Sequence, residues 1–357
     1  MAMPLWASLT PIAAAALLVA AVLLPGSLAL AIACVAALLG AVIAAVHHAE
    51  VIAHRLGEPF GALVLAVSIT TIEVALIVTL MLTGGPDQAT LPRDTIFSAI
   101  MIICNGVIGL CLLIGALRHR EQVFPVVGNS AALATLLALA TLSLVLPTFT
   151  TSSSGPTYNS AQLTFAALAS LLLWGTFVFV QTVRHRDYFL PLEDRADEEV
   201  HAAPPSVAQA WASFGLLFIA LAAVVGLAKL LSPSIETAVA AAGAPKTTIS
   251  VAIALLVLLP ETMAALRAAR ANRLQTSLNL ALGSALASIG LTIPAVAFTS
   301  MLIGVPLVLG LDAKELVFLL LTGFVTLITF VSGRGHVMTA AVHLVILGAF
   351  LFLALVP

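Results

Sequence analysis

Runs of some twenty apolar residues recur along the whole chain. A backbone in hydrocarbon must satisfy its own N–H and C=O groups, so each run reads as a transmembrane helix. With a rise of about 1.5 Å per residue, the runs predict helices at 5–24, 27–46, 60–83, 95–117, 129–149, 160–183, 208–231, 248–268, 276–299, 313–332 and 336–356. Barrel strands would be shorter and would alternate. Glycine and proline punctuate the joins, as at Pro25-Gly26, Gly84-Gly85-Pro86, Ser154-Gly155-Pro156 and Pro204-Pro205. The expected fold class is an all-α polytopic membrane protein of about eleven helices. With 61% hydrophobic and 8% charged residues, the chain lies outside the range of soluble domains. The lipid bilayer is its expected surroundings, and no nucleic-acid surface is visible. Met1 to Thr10 holds no Lys or Arg, so the first helix is expected to be retained rather than cleaved as a signal peptide.

Against this background two acids stand out. Of sixteen Asp and Glu residues, Glu73 and Glu261 are the ones placed deep inside an apolar run. A carboxylate there costs roughly 2.5–3.5 kcal/mol on insertion scales. No Lys or Arg is expected at similar depth, so protons and metal cations are the natural partners. Glu73 follows Ser68, Thr70 and Thr71, and Glu261 follows Pro260, whose missing N–H leaves a helix carbonyl without its donor. Asn105 on the helix after Glu73, and Ser284 and Ser288 on the helix after Glu261, add small polar groups at comparable depth. Carboxylate, hydroxyl, amide and carbonyl oxygens suit a hard cation such as calcium or sodium. Close helix packing is the plainer role for Asn105, Ser284 and Ser288.

The longest hydrophilic connection, residues 184–207, carries the acidic run Glu193-Asp194-Arg195-Ala196-Asp197-Glu198-Glu199 and divides the chain. Residues 1–25 form an extra N-terminal helix, 26–183 a first set of five spans holding Glu73, and 208–357 a second set holding Glu261. Each acid lies on the second helix of its set. An odd number of spans gives the two sets opposite topology, the plan of an inverted-repeat transporter with its site near the midplane. Ten Lys and Arg fall on the side of the N-terminus (Arg55, Arg118, Arg120, Arg184, Arg186, Arg195, Arg267, Arg270, Arg273, Arg334) and four on the other (Arg93, Lys229, Lys246, Lys314). The N-terminus is therefore expected in the cytoplasm and the C-terminus outside. The alanine-rich composition is compatible with a bacterial plasma membrane.

His47, His48 and His54 cluster with Glu50 at the end of the second span and the loop after it, a candidate pH-sensing or metal site beside an ordinary interfacial role. His343 is expected to be a hydrogen-bonded packing residue. The acidic linker lacks an EF-hand pattern and reads as a solvated loop. Cys34, Cys104 and Cys111 lie in apolar segments without metal-ligand spacing and read as small core residues. No phosphate loop, H-E-x-x-H or G-x-S-x-G motif occurs, so the chain reads as a secondary transporter without a cofactor rather than an enzyme. A cation channel would need a continuous polar path, and an intramembrane hydrolase would use the two acids as a dyad.

The stretch from Ala49 through Gly57-Glu58-Pro59-Phe60-Gly61 to Ser68-Ile69-Thr70-Thr71-Ile72-Glu73 resembles the first repeat of the ChaA-type calcium/proton antiporters, within the calcium/cation antiporter superfamily. Pro260-Glu261, Ala271-Asn272-Arg273-Leu274-Gln275, Asn279 and Leu282-Gly283-Ser284-Ala285-Leu286-Ala287-Ser288 resemble the second. The resemblance implies ten core helices in two inverted repeats, exchange of cytoplasmic calcium for external protons, and Glu73 and Glu261 as the acids that carry cation and proton in turn. In the wider superfamily a Gly-Asn pair stands four and three residues before each acid. Here Ile69-Thr70 and Val257-Leu258 take those places, so sodium and potassium remain beside calcium as transported cations.

Overall fold

The structure, a computed structural model, describes residues 3–24, 27–57, 60–190, 205–245 and 247–356. Eleven of its helices are long and apolar enough to cross a membrane. They are α1 (Leu5–Leu23), α2 (Leu28–Leu56), α3 (Phe60–Gly84), α4 (Leu91–His119), α5 (Val126–Phe149), α6 (Ser160–Arg184), α7 (Val207–Ala241), α8 (Thr247–Arg270), α9 (Leu274–Ile303), α10 (Ala313–Ser332) and α11 (Val337–Leu355). The expected all-α class and helix number are borne out. Among the described residues there is also a two-residue antiparallel pairing: β1 (Gln122–Val123) joins β2 (Arg334–Gly335) and ties the α4–α5 connection to the α10–α11 connection.

Local chemistry sets several helix ends. Asn159 and Gln162 form a capping box at the start of α6, and Asp312 and Glu315 form one at the start of α10, each satisfying backbone donors that a helix N-terminus leaves over. Four helices differ from the expected spans by four residues or more, among them the ninth, which runs on to Ile303. The second runs on to Leu56, which puts His47, His48 and His54 on the helix itself. The fourth starts at Leu91, with Pro92 in its first turn and Asp94 beside the N-terminal dipole, so Arg93 and Asp94 lie inside it. The seventh continues through Pro233 to Ala241. These ends outrun the apolar runs because helix hydrogen bonding continues past the membrane boundary.

The helices group into two compact units that do not follow chain order. In the first, α2 packs against α1, α3 and α7. In the second, α9 packs on α5, α6 and α8, while α4 is flanked by α8 and α11 and is the most enclosed span. Helix α10 shows how the second unit sorts its residues. Leu319, Thr322, Gly323, Thr326, Thr329 and Phe330 are buried, and Val317, Leu320, Phe324, Ile328 and Val331 are exposed. An apolar outer stripe with hydroxyls inward is the pattern of a helix solvated by lipid.

Segments of wider helical turn interrupt three spans of this unit: Ile102–Val107 in α4, Thr141–Val145 in α5 and Val180–Arg184 at the end of α6. Such bulges release backbone groups from the regular ladder and recur at functional sites.

Candidate functional site: two glutamates within membrane spans and their polar neighbours

In the first unit, Glu73 lies near the middle of α3 and is only 2% exposed. Ile72, Leu76 and Ile77 are buried beside it. Thr70, one turn earlier on the same face, is also buried, which puts a hydroxyl next to the carboxylate along the helix. Thr71 is turned away: its hydroxyl is exposed and donates to the Val67 carbonyl at 2.7 Å. Glu58 and Pro59, in the motif that leads into α3, lie outside the described residues.

The histidine group lies in this unit too. His48 is fully buried. Its Nε2 is 2.9 Å from the Ala7 carbonyl and therefore carries the proton, and its Nδ1 accepts from the Ser213 hydroxyl at 3.2 Å. Both ring nitrogens thus join α2 to α1 and α7. His47 packs its ring against Trp6, and His54 is exposed. Among the described residues, no group of three or more His, Cys, Asp or Glu side chains is arranged to hold a metal ion.

In the second unit, Glu261 is half-buried on α8, directly after Pro260. α8 continues through the proline, which has no N–H to offer the Leu256 carbonyl. Thr262 donates to the Leu258 carbonyl at 2.7 Å, so one further main-chain oxygen next to the acid is shared with a side chain. On α9, Ser284 is half-buried and Ser288 buried one turn on. Thr292 extends this stripe by another turn. It is fully buried, and its hydroxyl has no hydrogen-bond partner among the described residues. Its spacing of four from Ser288 is the sequence signal for it. The opposite face of α9, two residues round from Ser288 and Thr292, meets α6 at close range: a Cβ added to Gly290 would stand 2.5 Å from the Cβ of Trp174.

Asn105 sits in the wide turn of α4 and is fully buried. Its amide donates to the Thr322 hydroxyl at 2.9 Å, and its carbonyl oxygen is 3.3 Å from Nδ1 of His343. The expected hydrogen-bonded burial of His343 is seen.

Two features went unread in the sequence. Arg93, only 6% exposed, pairs with Asp94 at 2.7 Å and donates to the Gly310 carbonyl at 2.9 Å. Leu91-Pro92-Arg93-Asp94 has the proline and acid of a helix start, which was the available signal. The start of the central connection is also anchored at Phe189, while residues 184–188 stay exposed. Phe189 is buried edge-on against Phe177, and its carbonyl accepts from Asn279 at 2.6 Å. Asn279 in turn accepts from Gln275, which exchanges hydrogen bonds with Asn129. The acidic run 193–199 lies outside the described residues.

Comparison with known proteins places this architecture. The family described as sodium/calcium exchanger protein matches residues 26–183 and 212–356. The chain is 49% identical to the putative ionic transporter y4hA of Sinorhizobium fredii (strain NBRC 101917 / NGR234), covering 99% of this chain and 97% of that one. It is 35% identical to the sodium-potassium/proton antiporter ChaA of Escherichia coli (strain K12), covering 92% of this chain and 89% of that one. Among solved structures, native YfkE superposes with a TM-score of 0.75 at 16% identity, covering 98% of this chain and 99% of that one. The H+/Ca2+ exchanger CAX superposes with a TM-score of 0.71 at 16% identity, covering 97% and 88%. At that identity the likeness is one of fold. Since the family match extends over most of the chain and an antiporter is related to it along nearly its whole length, this integral membrane protein belongs to the sodium/calcium exchanger protein family and is a ChaA-type member of the calcium/cation antiporter superfamily.

Proposed function

We propose that this chain is a secondary antiporter that extrudes Ca2+ in exchange for H+, with Glu73 and Glu261 as the shared carriers of cation and proton. The observation that carries the reading is the burial of Glu73, 2% exposed in the middle of a membrane-length helix, where a carboxylate needs a proton or a cation. Glu261 holds the corresponding place on the second helix of the second set of spans. Two carboxylates without a counter-charge repel one another in a low-dielectric site, so they hold either a cation or protons. That competition couples the two fluxes. Thr70, Asn105, Ser284, Ser288 and the carbonyl released by Pro260 supply neutral oxygens, the ligand type hard cations take. Inverted repeats rocking about this site would expose it to each side in turn. The bias of Lys and Arg puts the N-terminus in the cytoplasm, and the bacterial relatives favour the plasma membrane.

A second reading, Na+/H+ or K+/H+ exchange through the same residues, is favoured by a specific observation. Ile69-Thr70 and Val257-Leu258 stand where the wider superfamily has its Gly-Asn pairs, and the relative ChaA is a sodium-potassium/proton antiporter by name.

The purified protein, reconstituted into vesicles with an acidic interior and a pH-sensitive dye, distinguishes the two. Proton efflux triggered at lower concentration by Ca2+ than by Na+ or K+ supports the first reading, and the reverse order supports the second. Cation flux indifferent to the proton gradient would instead mark a channel.

A further inference from the structure

The hydrogen bonds around Asn105 have a definite direction. Thr322 is 3.4 Å from the Met101 sulfur, an acceptor for its single hydroxyl proton, so the Thr322 oxygen accepts from Nδ2 of Asn105. Oδ1 of Asn105 therefore faces His343, and the ring nitrogen 3.3 Å from it, Nδ1, bears the proton. Nε2 then accepts from the Thr329 hydroxyl at 3.1 Å. Every group in this chain of five residues is satisfied when the imidazole is neutral. Asn105 and His343 are both 0% exposed, and a Cβ added to Gly109 would stand 3.1 Å from the Cβ of His343.

The partners of the ring are all neutral. On α4 and α10 the charged side chains stand toward the helix ends, Arg93, Asp94, Arg118 and His119 on the first and Lys314 and Glu315 on the second, while Glu261 lies within α8, which also packs against the wide turn of α4 and against α11. An imidazolium here would be a buried charge facing an amide, a hydroxyl and the Cys104 backbone, all of them uncharged. Asn105 also sits in a wide helical turn, where regular backbone bonding does less to hold a side chain in place.

We infer that His343, as a fixed Nδ1–H donor, is the positioning residue that orients the Asn105 amide for cation binding. The inference rests on the reading above that Asn105 belongs to the cation site. Through Asn105 it gives α11 a part in cation affinity, although His343 itself touches no cation. Removing an outer-shell partner of a ligand costs roughly ten- to a hundredfold in metal affinity.

Exchange in reconstituted vesicles is measured against cation concentration and pH for wild type, His343→Leu, His343→Asn and Asn105→Leu. His343→Leu is expected to raise the half-saturating cation concentration roughly tenfold while leaving the maximal rate and the pH profile in place. His343→Asn, which keeps an N–H near the position of Nδ1, is expected to restore most of the affinity. Unchanged affinity in His343→Leu overturns the inference. If Asn105→Leu alone loses affinity, the assignment of Asn105 survives; if neither variant does, that assignment falls too. A pH profile shifted in both His343 variants would make the histidine a proton carrier and also overturn the inference. Nitrogen NMR of histidine-labelled protein, with the His343 signal identified by its loss in His343→Asn, gives a test that needs no Leu variant to fold. Protonated Nδ1 and bare Nε2 are expected at neutral pH, and the opposite tautomer would contradict the proposal.

Discussion

Nε of Arg93 lies 2.7 Å from Oδ1 of Asp94, and both side chains are buried in the first turn of a membrane-length helix. The pair is well furnished: Thr90 donates to Oδ2 of Asp94 at 3.1 Å, and Nη1 of Arg93 donates to the Gly310 carbonyl, which fastens the α9–α10 connection to α4. Removing Asp94 leaves the buried Arg93 with the exposed Asp312 carboxylate, 3.8 Å away, as its remaining ion-pair partner. Asp94→Leu is expected to lower stability by about 3–5 kcal/mol. The double variant Arg93→Met, Asp94→Leu should recover much of that loss, as read from thermal unfolding of the detergent-purified protein.

Gly290 faces Trp174 so closely that the first carbon of any side chain would clash with it. The expected result of Gly290→Ala is a loss of about 1–3 kcal/mol from overpacking between α9 and α6. Gly348 in α11 has nothing within 4 Å of an added Cβ, so Gly348→Ala serves as the control and should leave the melting temperature level or slightly raised. Equal effects of the two substitutions would contradict the close approach.

Asn279 holds the start of the central connection through the Phe189 carbonyl, and Gly128 lies against the Tyr188 carbonyl with no room for a Cβ. Asn279→Leu removes the donor to Phe189 and leaves Gln275 without one of its acceptors, a cost of about 1–3 kcal/mol for each buried group left unpaired. Limited proteolysis should cut residues 184–207 faster in this variant and in Gly128→Ala than in wild type.

Pro260 deprives the Leu256 carbonyl of its helical donor one residue before Glu261. Pro260→Ala restores that N–H. The expected outcome is a more stable α8 together with a severalfold weaker apparent cation affinity, because a carbonyl bound to its own helix is a poorer ligand. Tighter cation binding in this variant would place the released carbonyl outside the site.

The number and sites of the helices were legible because membrane-length apolar runs admit so few alternatives, and with them the placement of Glu73 and Glu261 inside membrane-length helices. Helix ends were not. Leu56 and Leu91 lie among His, Arg and Asp residues that end an apolar run without ending a helix. Arg93 was read as a connection residue for the same reason. Nor was the partnership of Asn105 and His343 legible, since 238 positions separate them and nothing local in either segment indicates the other. Thr322 and Thr329 share that difficulty: a threonine on a transmembrane helix reads the same whether it bonds its own backbone, as Thr326 does, or a neighbouring helix, as Thr322 does.

The most direct test of the central claim is proton efflux from acid-loaded vesicles on addition of Ca2+, Na+ or K+, compared among wild type, Glu73→Gln and Glu261→Gln, each first checked for correct folding by size-exclusion chromatography. Both substitutions keep the shape of the side chain and remove the exchangeable charge. The account predicts that each one abolishes cation-triggered proton movement. Normal exchange in both variants would make the two glutamates structural and contradict the shared-carboxylate mechanism, whichever cation is transported.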